Sequence, residues 1–334
     1  MKSPYTGKEM ICMKENREIV FRKESFDVVF HFWKCTDSGE QFTDAALDEI
    51  NLGQAYNQFR SKHKLPFPEE IQAIREQYKL SASKMSEILG FGVNVYRQYE
   101  SGEIPSESNA RLIQMARDPR KFQSLLDLCS TIDEKSREKV LQRITFLLQT
   151  PEPTLTSTAL EQEMFGHLQP DEFTGFRRPN LLKINAMVLE FAKAMNPWKT
   201  KLNKLLFYAD FVHFSKTCRS ISGLRYDAIQ FGPVPHNYNG IYQLLASQNT
   251  VSIEYIEYPN GSIGERFHAK KSEVEDVLDP TEHATVLEVV SRFQKSSNQS
   301  IVFESHLEAA WKQNVDQPQP AISYLKYAFD LVHA

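Results

Sequence analysis

The stretch from Lys201 to Tyr242 constrains the fold most, because an apolar helical face runs directly into a stiff turn. Apolar residues recur there at spacings of three and four, which predicts one buried face of an amphipathic helix. They are Leu202, Leu205, Leu206, Ala209 and Val212. The turn Phe231 to Asn237 contains two prolines, which hold an extended backbone. The polar and aromatic side chains close to the helix indicate a shaped surface as well as a core.

The chain has 334 residues, enough for two domains with separate cores. It is 41% hydrophobic and 25% charged, as soluble globular proteins are. The sequence contains no apolar run of the roughly 18 to 20 residues that span a bilayer, and no signal-peptide core follows the N-terminus. We therefore expect a cytoplasmic protein without a membrane partner. The net charge of −4 means that any DNA binding must use a local patch.

The pattern along the chain predicts a mainly α fold with small β elements. Alternating apolar residues predict a β-hairpin within residues 17–35, and Asn260-Gly261 marks a second hairpin turn. Helical patterns fill most of the rest. The predicted domains are a hairpin with a helix, a helical bundle, a linker and a mostly helical C-terminal domain; their ranges are 1–64, 65–148, 149–179 and 180–334.

Residues 69–105 predict a helix-turn-helix. Gly90 to Gly92 supply the turn, and Val93, Tyr96 and Tyr99 are spaced to bury one face of the second helix. The outward polar residues suit major-groove readout, and those at the first helix suit phosphate contacts. The first set is Asn94, Arg97 and Gln98, and the second is Ser81, Ser83 and Lys84. The plainer alternative is that all six are solvated residues on a bundle.

The C-terminal motifs resemble the Panacea domain, also called SocA-like, of bacterial and phage antitoxins. They are Lys201-Leu202-Asn203-Lys204-Leu205-Leu206, Tyr208-Ala209, Phe231-Gly232-Pro233-Val234, Ser305-His306 and Trp311. The resemblance covers about Leu181 to the C-terminus and implies binding of a protein toxin. The candidate toxin contacts are Tyr208, His213, Tyr226, Gln230, Phe231, Pro233, His236 and Asn237. The alternative is a turn that defines the fold, with buried aromatics.

Residues 81–94 read SASKMSEILGFGVN and are followed by Tyr99-Glu100-Ser101-Gly102 and Pro105. This motif resembles the Xre-type helix-turn-helix and is most similar to that of MqsA antitoxins. That resemblance extends to an N-terminal zinc module, whose ligand positions fall here on Ser3, Thr6, Cys35 and Ser38. Hydroxyl groups are poor zinc ligands, so we expect a degenerate module without zinc, and no other cofactor. A partial site formed by Cys12, His31 and Cys35 stays an alternative.

Candidate catalytic groups are present, but none lies in a recognisable nucleophile motif, so we expect no enzyme. They are Asp210, His213, Cys218, Asp227, His236 and His306.

Together the resemblances imply a type II antitoxin that neutralises a toxin and represses its own operon as a homodimer on operator DNA. The alternatives are a proteolysis adaptor for a toxin and a ligand-sensing transcriptional regulator. We also expect that deletion of residues 1–150 abolishes operator binding and leaves neutralisation at least partly intact.

Overall fold

The computed structural model describes residues 2–149, 162–166, 168–271, 277–318 and 320–332. About half of the chain is helical and the sheets are small and antiparallel, which confirms the predicted fold class. The chain forms two compact units. One unit contains Met1–Gln58 together with Leu160–Ala334, and the other, called the helical unit below, contains Phe59–Ala159.

Strands β1 (Met10–Phe21) and β2 (Glu24–Cys35) form an N-terminal hairpin that begins seven residues before the predicted range 17–35. Strand β3 (Gln41–Phe42) pairs with the far end of β2. The connection is the two-residue turn Arg22-Lys23, and both residues have positive φ. Such a turn matches the twist of antiparallel strands and fixes their register. Phe26, Val28 and Phe32 on β2 are buried, as their alternation predicts.

Helix α1 (Ala45–His63) covers the free edge of β2 with amide side chains. Asn51 and Gln54 each donate to and accept from the backbone of one strand residue, His31 and Val29 respectively, at 2.7 to 2.9 Å. Gln58 donates to the carbonyl of Asp27 at 2.8 Å. The helix thus provides hydrogen-bond partners for the backbone groups at this edge of β2, as another strand would.

The helical unit continues with short helices around one core. They are α2 (Pro68–Gln77), α3 (Ala82–Ile88), α4 (Val95–Glu100), α5 (Glu107–Met115), α6 (Pro119–Leu128) and α7 (Glu134–Gln149). The hydroxyl of the buried Tyr96 donates a hydrogen bond to the carbonyl of Ile71 at 2.8 Å, and the ring of Tyr78 stacks on Phe122. These contacts hold α4 and α6 against α2.

The C-terminal part of the other unit surrounds one central helix, α9. Its elements are α8 (Leu181–Met195), α9 (Lys199–Thr217), β4 (Tyr226–Ile229), β5 (Gly232–Pro235), α10 (Tyr238–Ser247), β6 (Val251–Glu257), β7 (Ile263–Ala269), α11 (Pro280–Phe293), α12 (Asn298–Leu307), α13 (Ala309–Lys312) and α14 (Tyr324–Tyr327). The predicted turn at Asn260-Gly261 joins β6 and β7. Each helix in the described ranges is too short or too polar to cross a bilayer.

The N-terminal hairpin and α1 both pack with this C-terminal part. Lys14 forms an ion pair with Asp330 at 2.7 Å, and the His31 ring lies against Phe329. The amide of Asn57 donates to the carbonyl of Cys218 at 2.8 Å. Deletion of residues 1–150 would therefore remove part of the unit that holds α9, so we no longer expect this truncation to leave neutralisation intact.

Part of the predicted linker 149–179 is also integral to this unit. Thr174 and Phe176 are buried, and the amide of Ser220 donates to the carbonyl of Gly175 at 3.0 Å. Residues 150–161 and 167 of that prediction lie outside the described residues.

Candidate functional site

Helix α9 is buried on every side from Lys201 to Phe214, and not on one face as its sequence pattern predicts. The extra burial arises because α8, α11, α12 and β5 all pack on it. Its polar side chains consequently contact other parts of the protein, and four of them are described next.

Asp210 anchors the loop that follows α9. Its carboxylate accepts from the backbone N–H groups of Ile221 and Ser222 at 2.8 Å each, from the Ser222 hydroxyl, and from the Tyr226 hydroxyl at 2.7 Å. Burial raises the pKa of Asp210, while these hydrogen bonds oppose the shift. Tyr226, predicted as a toxin contact, is therefore a core residue that ties β4 to α9.

The Lys204 side chain binds the backbone of the Gly-Pro-Val-Pro segment, residues 232–235. Its buried ammonium donates to the carbonyl of Pro233 at 2.9 Å, and burial lowers the pKa of Lys204 to about 7. Gly232 has φ +93°, and a Cβ there would lie 2.6 Å from the Lys204 side chain and would also meet Ser305. Only glycine fits this position. Pro233 is buried, which removes it from the predicted contact surface.

Tyr208 and His213 are also buried, because they point from α9 into neighbouring helices. The Tyr208 hydroxyl donates to Glu308 at 3.1 Å, and the Arg292 guanidinium lies over its ring. His213 contacts the Thr285 hydroxyl at 3.4 Å, and burial lowers the pKa of His213 to about 4. Both predicted toxin contacts are thus corrected to core positions.

The other four predicted contacts, Gln230, Phe231, His236 and Asn237, are exposed. Phe231 stands at the tip of the β4–β5 turn with 60% of its surface accessible. Close by, the Trp311 indole donates to the carbonyl of Ile229 at 2.7 Å, and the His306 ring stacks on Trp311 with centroids 3.8 Å apart.

We call the group Gln230, Phe231, His306 and Trp311 the turn surface. It combines one exposed phenylalanine with the ring stack of His306 and Trp311 close by, the arrangement expected of a protein-binding patch. The predicted list of toxin contacts left out His306 and Trp311, although both belong to the motifs that carry the family resemblance.

Residues 202–312 match the family model described as "Antitoxin SocA-like, Panacea domain". This segment is a Panacea domain. The match contains α9, the Gly-Pro-Val-Pro segment and the turn surface, and it supports an antitoxin role in general terms. A search of the curated proteins finds no match to the chain.

The candidate catalytic groups of the Panacea domain do not converge. Asp227 and His236 contact each other at 2.8 Å. Asp210 bonds instead to the loop after α9, and His306 stacks on Trp311. The Cys218 thiol donates to the carbonyl of Ile50, and burial raises its pKa. Each of these groups thus has a contact partner within the unit.

A groove of about 600 Å³ lies between the hairpin and the end of the chain. Charged side chains of both signs line it, among them Arg17, Glu18, Lys326 and Asp330. Small-ligand pockets are mostly apolar with few polar groups, and this groove does not have that character.

In the helical unit, α3 and α4 are joined by a turn that contains Gly90 with φ +70°. Arg97 and Gln98 on α4 and Asn94 at its N-cap are exposed, as predicted. Val93 is 73% exposed because α4 begins only at Val95, so its predicted place in the buried face is wrong.

Of the predicted phosphate contacts, Ser81 and Ser83 are exposed, and Ser81 caps α3 by accepting from the Lys84 N–H at 3.2 Å. The Lys84 ammonium pairs with Glu87 at 2.9 Å and with Asp133 at 3.4 Å. Two carboxylates thus compensate its charge, which weakens the case for Lys84 as a phosphate contact.

The four positions aligned with zinc ligands lie in two similar turns. Thr6 contacts the Cys35 sulfur at 3.3 Å, and Ser3 accepts from the Thr6 N–H. Hydrogen bonds from Ser38 and Thr6 lower the pKa of Cys35 to about 6. Three hydroxyls and one thiol do not suit zinc, which prefers thiolate and imidazole. Within the described residues, no group of three or more His, Cys, Asp or Glu could hold a metal ion.

Proposed function

We propose that this chain is a cytoplasmic antitoxin of a type II system that binds a cognate protein toxin through the turn surface. The observation that carries the proposal is the Panacea match over residues 202–312. Neutralisation in this proposal needs binding alone and no enzymatic step.

The build of the turn surface supports this assignment. Phe231 is presented by a turn whose backbone is fixed from below by Lys204 and Gly232. A rigid aromatic anchor loses little conformational entropy on binding, so it contributes strongly to affinity. Buried residues of α9 hold this surface in place and do not touch the toxin.

Replacement of Phe231 by Ala tests the toxin surface. The tagged wild-type chain first captures its toxin from native cells, and calorimetry then measures affinity for the purified toxin. Loss of a central aromatic anchor costs about 2 kcal/mol or more, or roughly 30-fold in affinity. The control is Phe146→Ala, because Phe146 is similarly exposed but lies in the helical unit. Equal affinities for the two variants would reject the turn surface as the binding site.

We also propose that α4 reads operator DNA through Asn94, Arg97 and Gln98, in two copies on a palindromic site. Arg97 and Gln98 are exposed on α4 and Asn94 is exposed at its N-cap, which supports this role. Arg75 pairs with Glu100 at 2.6 Å and so braces α4 against α2.

Replacement of Arg97 by Ala tests this second role. Fluorescence anisotropy with DNA from upstream of the gene should show a loss of about 1 to 3 kcal/mol, because one base contact disappears. The control is Arg111→Ala, since Arg111 is an exposed arginine of the same unit, on α5. If both variants bind the DNA equally, α4 is not the reading helix.

A further inference from the structure

Within the described residues, backbone groups at the outer edge of β1 make no backbone hydrogen bond. Phe21 and Glu24 flank the two-residue turn, so hydrogen-bonded pairs alternate along the hairpin from that point. By this alternation the even-numbered residues of β1 direct their N–H and C=O groups away from β2. These are Cys12, Lys14, Asn16, Glu18 and Val20, and no backbone hydrogen bond at this edge joins them to any other described residue.

The opposite edge of the same sheet confirms this assignment of directions. The residues of β2 that face Lys14, Asn16 and Glu18 are His31, Val29 and Asp27, and their outward backbone groups bond to the amides of α1. One edge is therefore covered by side chains, whereas the other is open. An open edge of this length is a template for pairing with another strand.

The sequence of β1 is complementary to itself when read in the antiparallel sense. With the two-fold axis at Asn16, Lys14 lies opposite Glu18 of a second copy, and Glu15 lies opposite Arg17. The apolar ends also meet, since Ile11, Cys12 and Met13 face Phe21, Val20 and Ile19. Opposite charges and apolar pairs directly across strands each stabilise a sheet by about 0.2 to 1 kcal/mol.

Neighbouring registers lack this complementarity. An axis at Glu15 sets two glutamates directly opposite each other, and an axis at Arg17 does the same with two arginines. Like charges in that position destabilise a sheet. The axis at Asn16 also brings the outward-facing residues of one copy against those of the other, so their backbone groups can exchange hydrogen bonds.

We infer that two copies of this chain form a dimer through antiparallel pairing of β1 with β1, which joins two three-stranded sheets into one. The contact is the same patch on both copies, as a two-fold dimer requires. The exposed side chains Ile11, Met13 and Val20 become partly covered in this arrangement. Lys14 and Arg17 now pair within the chain, with Asp330 and Glu15 at 2.7 Å each, and gain a second carboxylate across the dimer. This dimer does not depend on toxin or DNA binding.

Sedimentation of the full chain tests the dimer. We expect the wild type to dimerise and Asn16→Pro to sediment as a monomer with unchanged circular dichroism, because proline removes an outward N–H that the hairpin itself does not use. Glu18→Lys should weaken the dimer by placing two lysines opposite each other, and the double variant Lys14→Glu, Glu18→Lys should restore it. A wild-type monomer, or a dimer that Asn16→Pro leaves unchanged, overturns the inference.

Cross-linking tests the register. The thiol introduced by Val20→Cys should lie opposite Cys12 of the second copy, and oxidised glutathione should join the two as a disulfide while it is reduced. The control Ile19→Cys places the new thiol opposite Met13 and on the other face of the sheet from Cys12, so it should cross-link far less. Equal cross-linking by both variants would contradict the register at Asn16.

Discussion

The buried ammonium of Lys204 predicts a pH dependence of stability that an exposed lysine would not cause. Its Nζ donates to one carbonyl, that of Pro233, and burial lowers the pKa of Lys204 to about 7. The informative change is Lys204→Met, which keeps the length of the side chain and removes the titrating group.

The magnitude follows from linkage between protonation and folding. A free lysine has a pKa of about 10.4, whereas the pKa of Lys204 in the folded chain is about 7. This difference corresponds to about 5 kcal/mol of destabilisation when the lysine is charged in both states. Between the two pKa values the unfolded chain holds the proton and the folded chain does not. Unfolding therefore takes up a proton, and the free energy of unfolding rises with pH by about 1.4 kcal/mol per unit. Below about pH 7 the Lys204 ammonium is charged in both states, so its burial lowers the free energy of unfolding by the full amount.

Urea unfolding at several values from about pH 6 to about pH 9 measures this effect. The wild type should gain about 2 to 3 kcal/mol relative to Lys204→Met between the neutral and alkaline ends of that range. The lost hydrogen bond to Pro233 adds a constant offset of about 1 kcal/mol and leaves the slope unchanged. Lys270→Met is the control, because Lys270 is exposed. Parallel curves for wild type and Lys204→Met would refute the reasoning.

Two further substitutions test how the Panacea domain is held together. Gly232→Ala should lower the free energy of unfolding by about 2 kcal/mol or more, because the new Cβ meets Lys204 at a positive φ; an unchanged melting temperature would contradict this. Asn57→Ala should cost about 1 to 3 kcal/mol by leaving the carbonyl of Cys218 without this donor. Chemical denaturation would measure it, with Asn239→Ala as an exposed control, and equal stability of the two variants would argue against the role of α1 in this unit.

Local patterns predicted local structure well. The Asn260-Gly261 pair located a hairpin turn because its chemistry depends on two adjacent residues. Ser81 and Gly90 bounded a short helix for the same reason. The exposure of Arg97 and Gln98 on α4 also followed from spacing alone. Val93 was predicted to be buried but is exposed, because it lies before the helix.

The candidate site was harder to predict, because spacing identifies one face of a helix and says nothing about what covers the others. Tyr208 and His213 looked like surface residues since their sequence neighbours do not reveal Glu308 or Thr285. Those partners lie far away in the sequence. Phe231 differed because it is at the tip of a turn, where exposure is set locally.

The contact between Lys14 and residues 329 and 330 also constrains how the chain folds during synthesis. Some 315 residues separate Lys14 from Phe329, and at ribosomal speeds the wait between them lasts roughly 15 to 60 s. The helical unit, which is continuous in sequence, emerges entirely within that interval. A nascent chain can therefore complete the segment proposed to read DNA well before the unit proposed to bind the toxin is whole.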